Sequence, residues 1–202
     1  QVVAALMERG LILKKGTIVN STIISVPSST KNKEKKRDPD AHQVKKGNTW
    51  HFGYKAHIGV DRDSGLVHTV EATAANVHDA TETSKLLTGD EDEVYGDSGY
   101  LGAEKRGDAI IRNKAGRKIK YRINRRPSQV KKLSKSGQYA AKKAEHAKSS
   151  VRAKVEHAFG VVKKQLRFRK TRYRGFEKQR AKFNIMFALA NLILADRPCL
   201  AA

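Results

Sequence analysis

The sequence predicts a mixed α/β domain, and three observations carry that expectation. The β-branched run GTIVNSTIIS, residues 16–25, is followed by two further strand-like segments joined by a tight turn. Beyond them, helix-like and strand-like segments alternate. A long, strongly periodic helical stretch then leads into an apolar final helix, which gives a sheet with helices to cover it.

The elements follow in order. Residues 2–9 carry apolar side chains at near-helical spacing, and Gly10 stops them. The strand 16–25 ends before Pro27, and residues 26–49 are polar, basic and proline-interrupted, which predicts a loop. FGYKAHIGVD, residues 52–61, alternates. Phe52, Tyr54, Ala56, Ile58 and Val60 form its apolar face, while Lys55 and His57 fall on the other, expected to be solvated. The turn Arg62-Asp63-Ser64-Gly65 leads to the hairpin partner LVHTVEATA, residues 66–74. A helix is expected at about 78–88, then a short strand ending in VYGDSGYLG, residues 94–102. Ala103–Arg112 reads as a helix and IKYRIN, residues 119–124, as a strand. Residues 125–148 read as a basic connector around Pro127 and Gly137. Ser149–Phe168 reads as a helix with Val151, Val155, Ala158 and Val162 along one stripe, and residues 178–195 as the last helix.

Charge separates the two halves of the chain. Residues 1–100 hold 13 Lys and Arg against 14 Asp and Glu, whereas residues 101–202 hold 29 against 6, within a formal net charge of +22. One strongly basic side implies a polyanionic partner, and nucleic acid fits best because Lys and Arg displace counterions from phosphates. No amphipathic basic helix with aromatic anchors suggests a membrane surface, and the apolar run Ile185–Ala195 is too short to span one. The single cysteine, Cys199, excludes an internal disulfide and a multi-cysteine zinc site, and fits a reducing cytoplasm. The seven histidines lack zinc-like spacing. The chain opens without methionine inside a helix-like pattern, which reads as a fragment of something longer.

Three positions could carry chemistry. Asp97 ends a buried strand, where a carboxylate is costly unless it is used. Glu156 lies on the long helix, and Asn20 interrupts the aliphatic first strand. Carboxylates from a strand centre, a neighbouring strand end and a packing helix can converge on a pair of Mg²⁺ ions roughly 3.5–4 Å apart, which clamp both oxygens of a phosphoryl displacement. Arg152, Glu156 and Lys163 fall on one face of the helix.

The motifs GTIVNSTIISVPSS, WHFGYKAHIGVD, TAANVHDA, VYGDSGYLG and RAKVEHAFGVVKK, in that order over nearly the whole chain, resemble bacterial insertion-sequence transposases of the DDE type, most closely the insertion sequence five group. The resemblance implies a ribonuclease-H-like mixed sheet with flanking helices. Residues 1–15 would be the remnant of an N-terminal helical region and 16–175 the catalytic domain, with a basic connector at 112–148. Residues 176–202 would form the C-terminal helix. It further implies Mg²⁺ or Mn²⁺, two ions, held by the acid triad, with cleavage and strand transfer at the ends of the element. The partners implied are double-stranded DNA, as terminal repeats and target, and further copies of the chain assembled on it in the bacterial cytoplasm at the nucleoid.

The family's second Asp falls on Asp97 and its Glu on Glu156, but its first Asp falls on Asn20. An amide brings no charge and points a donor at a cation, so impaired activity is expected. Asp61 and Glu71 are weak substitutes on neighbouring strands. Arg152 and Lys163 match the basic residues that flank the family's Glu, while Ser149 stands where the family has Tyr. Lys164, Arg167 and Arg169 extend the expected DNA contacts.

Blander readings stand beside these. Asp97 alone would be a cap ahead of Gly99, and Glu156 a surface partner of Arg152. His78-Asp79 would cap a helix and anchor a loop, and Trp50 would be a core or rim residue. Residues 183–194 would serve core packing or a dimer contact. A catalytically inactive DNA-binding relic is the rival reading of the whole, and a generic nuclease of the same fold the weaker third.

Overall fold

The computed structural model describes residues 1–196; Cys199 lies outside them. Helix α1, Val2–Glu8, leads into strand β1, Gly16–Ser25, whose bounds are those of the β-branched run. Strands β3, Thr49–Asp61, and β4, Val67–Ala74, follow as antiparallel partners, and β1 pairs antiparallel with β3 on its other edge. Strand β5, Glu93–Gly96, pairs parallel with β1, and β6, Lys120–Ile123, pairs parallel with β5. The sheet is therefore mixed.

Three segments depart from the sequence expectation. The loop 26–49 contains a strand, β2, His42–Lys46, because β3 begins at Thr49 and folds back on it across Gly47-Asn48. The helix expected at 78–88 is only a 3₁₀ turn, Asp79–Glu82, and one helical turn, α2, Thr83–Leu86. Its threonines are poor helix formers, and the Thr83 hydroxyl bonds the Ala80 carbonyl 3.1 Å away. The helix expected at 103–112 is a single turn, Ala103–Lys105. Gly102 enters it at φ 86°, and Arg112 then bridges to Lys118 in a small antiparallel pair, with the Asn113 side chain holding the Arg117 amide.

The stretch 125–148 is not an open connector. Helix α3, Pro127–Lys131, is followed by α4, Lys135–Gly160, capped by the Ser134 hydroxyl on the Gly137 amide. Its first half buries only Ala141, so it carries no hydrophobic signal, yet Ala and Lys sustain a helix whose second half is anchored. A π-helical turn, Val161–Gln165, ends it, and α5, Phe176–Ala195, is the last element among the described residues.

Two cores follow from the alternation of the strands. On one face, Ile18 and Ile24 of β1 and Tyr54 and Ile58 of β3 pack with Val155 and Phe159 of α4 and Phe183 and Phe187 of α5. On the other, Val19, Val94, Tyr100 and Ile123 pack with Leu86. That second face is covered, so Lys55 and His57 are buried rather than solvated. Lys55 is held by the Val77 carbonyl at 2.6 Å and the Asp79 carboxylate at 2.9 Å. Trp50 is the reverse case: expected at a core or rim, it is 64% exposed near the tip of the β2–β3 ribbon. Among the described residues no helix is long and apolar enough to cross a membrane.

Candidate active site

The register of β1 on β5 sets the centre of the site. Gly16 pairs with Glu93, Thr17 with Val94 and Ile18 with Tyr95. Two residues further along each chain stand Asn20 and Asp97, at the same level on neighbouring backbones that run about 4.8 Å apart in a sheet. Both side chains then project to the sheet face that carries α4, by the two-residue period of Ile18 and Tyr95. Asp97 keeps an extended backbone, φ −79° and ψ −178°, and its Oδ1 accepts the Gly99 amide at 2.8 Å. The carboxylate is thus also the cap of the 3₁₀ turn Ser98–Tyr100. Asn20 Oδ1 accepts the Ser21 amide at 2.8 Å, which leaves its amide nitrogen, a donor, as the free polar group.

The edge of β1 beyond Ile18 is open. β5 has ended, and the next partner is the backbone of Arg169–Thr171, which brackets Ser25 through bonds of 3.2 and 2.9 Å. Asn20 lies inside this gap.

Helix α4 packs over β1 and β5. Arg152 reaches past β6 to Asn124 Oδ1 at 2.8 Å, and is not paired with Glu156. Glu156 is exposed one turn further on and makes no hydrogen bond or ion pair among the described residues. Lys163 lines a cleft with Thr22 and Ile23 of β1. The turn bearing it is π-helical, so its direction is not that of a continuous α-helical face. Partial burial, and then Lys46 and Arg169, push the Lys163 ammonium below the ordinary lysine value, while Glu156 opposes them. Lys164 and Arg169 are exposed, and Arg167 is exposed at φ 52°. Ser149 meets the Asn124 amide at 3.3 Å.

Neither proposed substitute for the first acid stands near this gap. Asp61 pairs with Thr17 at the far end of β1 and is fully buried, accepting from Lys14, Asp63 and Ser64. Glu71 sits on β4, two strands away, opposite His57.

Sequence reasoning missed Asp79 as a structural neighbour of the site. His78 does cap its turn, accepting the Ala80 amide, but Asp79 accepts the Ser21 hydroxyl and the Lys55 ammonium, both at 2.9 Å. A Cβ placed on Gly99 would stand 2.9 Å from Asp97 Oδ1 and 3.7 Å from Asp79 Oδ2, so both carboxylates flank one glycine. Burial, reinforced by Asp79 and Asp97, holds the Tyr100 phenol well above its ordinary value. The polar face of β3, read together with NVHDA, was the available signal, but no local pattern says that the two meet.

The family described as Transposase DDE domain matches residues 13–192. The chain belongs to that family. No solved structure matches it. The mixed sheet flanked by helices is the ribonuclease-H-like architecture typical of DDE transposases. Among the described residues, no group of three or more His, Cys, Asp or Glu side chains is gathered closely enough to cage a metal ion. Asp97 and Glu156 are oxygen donors of the type Mg²⁺ takes, and Mg²⁺ is ordinarily held by only one or two carboxylates, with water and substrate phosphate completing its shell.

Proposed function

We propose that the chain is the catalytic part of an insertion-sequence transposase whose metal-dependent DNA cleavage and strand transfer are impaired by Asn20. The observation that carries this reading is the matched level of Asn20 and Asp97 on parallel neighbours, with the Asn20 carbonyl oxygen already engaged by Ser21. An aspartate at position 20 could keep that bond through one oxygen and offer the second, charged, to the space beside Asp97. The asparagine offers a donor instead.

Asp97 and Glu156 would hold divalent metal, Mg²⁺ or Mn²⁺, which when bound polarises the scissile phosphate and stabilises the attacking and leaving oxygens. The protein's own part is positional. The Gly99 amide fixes the rotamer of Asp97, and helix α4 carries Glu156 over the same strands. Arg152, oriented by Asn124, and Lys163 would hold phosphate oxygens, where the planar guanidinium suits bidentate contact. DNA is the partner favoured by the basic second half of the chain, and assembly of several copies on DNA follows from the family reading.

The deciding experiment compares this chain with Asn20→Asp in Mg²⁺- and Mn²⁺-dependent cleavage of element-end DNA. A gain of at least about a hundredfold is expected, equivalent to about 2.7 kcal/mol of barrier, and Asp97→Asn in the same background should abolish it. Equal cleavage by both chains would overturn the role given to position 20. A second reading, a DNA-binding relic without catalysis, is favoured by Asn20 itself; it predicts DNA affinity with no cleavage by this chain. Under either reading affinity falls steeply with salt, in proportion to the number of phosphates contacted.

A further inference from the structure

The β2–β3 ribbon has no part in the acid centre, yet it carries a concentration of chemistry that a solvated edge does not need. Its register pairs Lys46 with Thr49, Lys45 with Trp50, Val44 with His51 and Gln43 with Phe52. Side chains alternate across such a ribbon, so Lys46 and His51 share one face while Trp50 and Phe52 share the other.

On the first face is a cleft of about 410 Å³ against the open edge of β1. Lys46 and His51 enter it from the ribbon, and Lys163 and Arg169 from the far wall, with Thr22 and Ser25 as its floor. Among the described residues no carboxylate lines it. Arg169 is steered there by its own bond to the Lys163 carbonyl, Nε to oxygen 3.1 Å. Burial, and then Lys46 and Arg169, disfavour the Lys163 proton, with Glu156 outside the lining opposing them, so three cations share the cleft. Like charges held together in this way are stabilised by an anion that enters between them.

On the second face is an adjoining cleft of about 520 Å³, which shares Ser25 and His51 with the first. It is lined by Trp50, Phe52, Arg37, Gln43 and Lys170. The Arg37 guanidinium already covers the Phe52 ring at 5.7 Å, whereas the Trp50 ring is 64% exposed. A large exposed aromatic beside unpaired cations is the arrangement that binds single-stranded nucleic acid, with phosphates on the cations and a base on the ring.

We propose that the β2–β3 ribbon is a second DNA-binding wall, which holds one phosphate between Lys46, Lys163 and Arg169 and stacks a neighbouring unpaired base on Trp50. The occupant is a single-stranded stretch of DNA that continues from a duplex. The inference rests on the transposase reading for its partner but not on metal or on Asn20, so its test needs neither.

Trp50 is the chain's only tryptophan, so its fluorescence reports on its own contacts. The probes are a short blunt duplex and the same duplex with a single-stranded overhang, titrated without divalent metal over a range of salt. The overhang should quench Trp50 fluorescence and the blunt duplex should leave it largely unchanged. Trp50→Ala should weaken overhang binding about tenfold or more with no change of salt slope. Lys46→Ala should weaken both probes and reduce the slope of log affinity against log salt by about one. Lys46 and Trp50 are exposed, so both variants should keep the fold, checked by circular dichroism; Lys131→Ala on α3 is the control cation.

If Lys163→Ala weakens binding while Lys46→Ala and Trp50→Ala bind as the parent does, with no quenching, the ribbon is a solvated edge and the inference falls, leaving the DNA reading intact. If the parent chain binds neither probe at low salt, both fall together.

Discussion

Lys55 shows how far a single residue can be misread from its neighbours in sequence. It stands on the polar side of an alternating strand, yet its side chain is 11% exposed and its ammonium is bonded to Asp79, whose side chain is 26% exposed. Removing the cation strands a largely covered carboxylate beside the part-buried Ser21 contact. Lys55→Met is therefore expected to destabilise the fold by about 2–3 kcal/mol, below the range for a fully buried pair because Asp79 retains some water. Urea unfolding measures this, and removing both charges in Lys55→Met/Asp79→Asn should recover part of the loss. Asn20 is the opposite case. That it is an amide is legible in the sequence, and the structure adds what the amide does: its one oxygen is engaged by the next residue's amide.

At the scale of elements, strand β1 and the final helix were legible because their residues carry their own signals: a β-branched run in one, a long apolar period in the other. Asn191 interrupts the final helix, and the sequence gives no reason for it. In the fold its side chain bonds both the amide and the carbonyl of Val67, at 2.8 and 2.6 Å, tying α5 to the start of β4 across 124 positions. Asn191→Leu would leave two backbone groups unpaired in a buried site, at a cost of about 2–4 kcal/mol. Amide hydrogen exchange at Val67 should accelerate more than exchange in β1. The first half of α4 was illegible for the reverse reason: its helix is real but nearly all of it faces solvent, so hydrophobic periodicity was absent. The π-helical turn before Leu166 was likewise invisible, since nothing in VVKKQ distinguishes a widened turn from an α-helical one.

For the whole molecule, covering both faces of the sheet has a consequence for pH. His57 is fully buried and His68 partly so, and both are held neutral, each pushed down to about 4 chiefly by burial. Their rings meet threonine hydroxyls instead: His57 meets Thr73, and His68 meets Thr17 and Thr69. Asp79 and Glu82 pull His57 upward while Lys55 and Lys85 oppose them; Glu91 and Asp61 act upward on His68, against Lys14. The unfolded chain binds protons at these rings first, so stability is full above about pH 6.5 and declines toward pH 4. The combined loss should be a few kcal/mol, roughly. A thermal-unfolding series over that range checks it, and a flat profile between those pH values would contradict neutral burial.

By itself, the sequence determined the fold class, the order and approximate bounds of most strands, and the basic second half. These are written in local composition and in a period of two or of 3.6 residues, which short-range sterics and burial impose directly. Only the tertiary structure decided that Asn20 and Asp97 stand level with one another, that Asp79 backs onto the same glycine as Asp97, and that the β2–β3 ribbon faces Lys163 and Arg169 across an open strand edge. Strand register and the packing of distant segments depend on side chains tens of residues apart. No local pattern carries that information, and it is there that the candidate site is assembled.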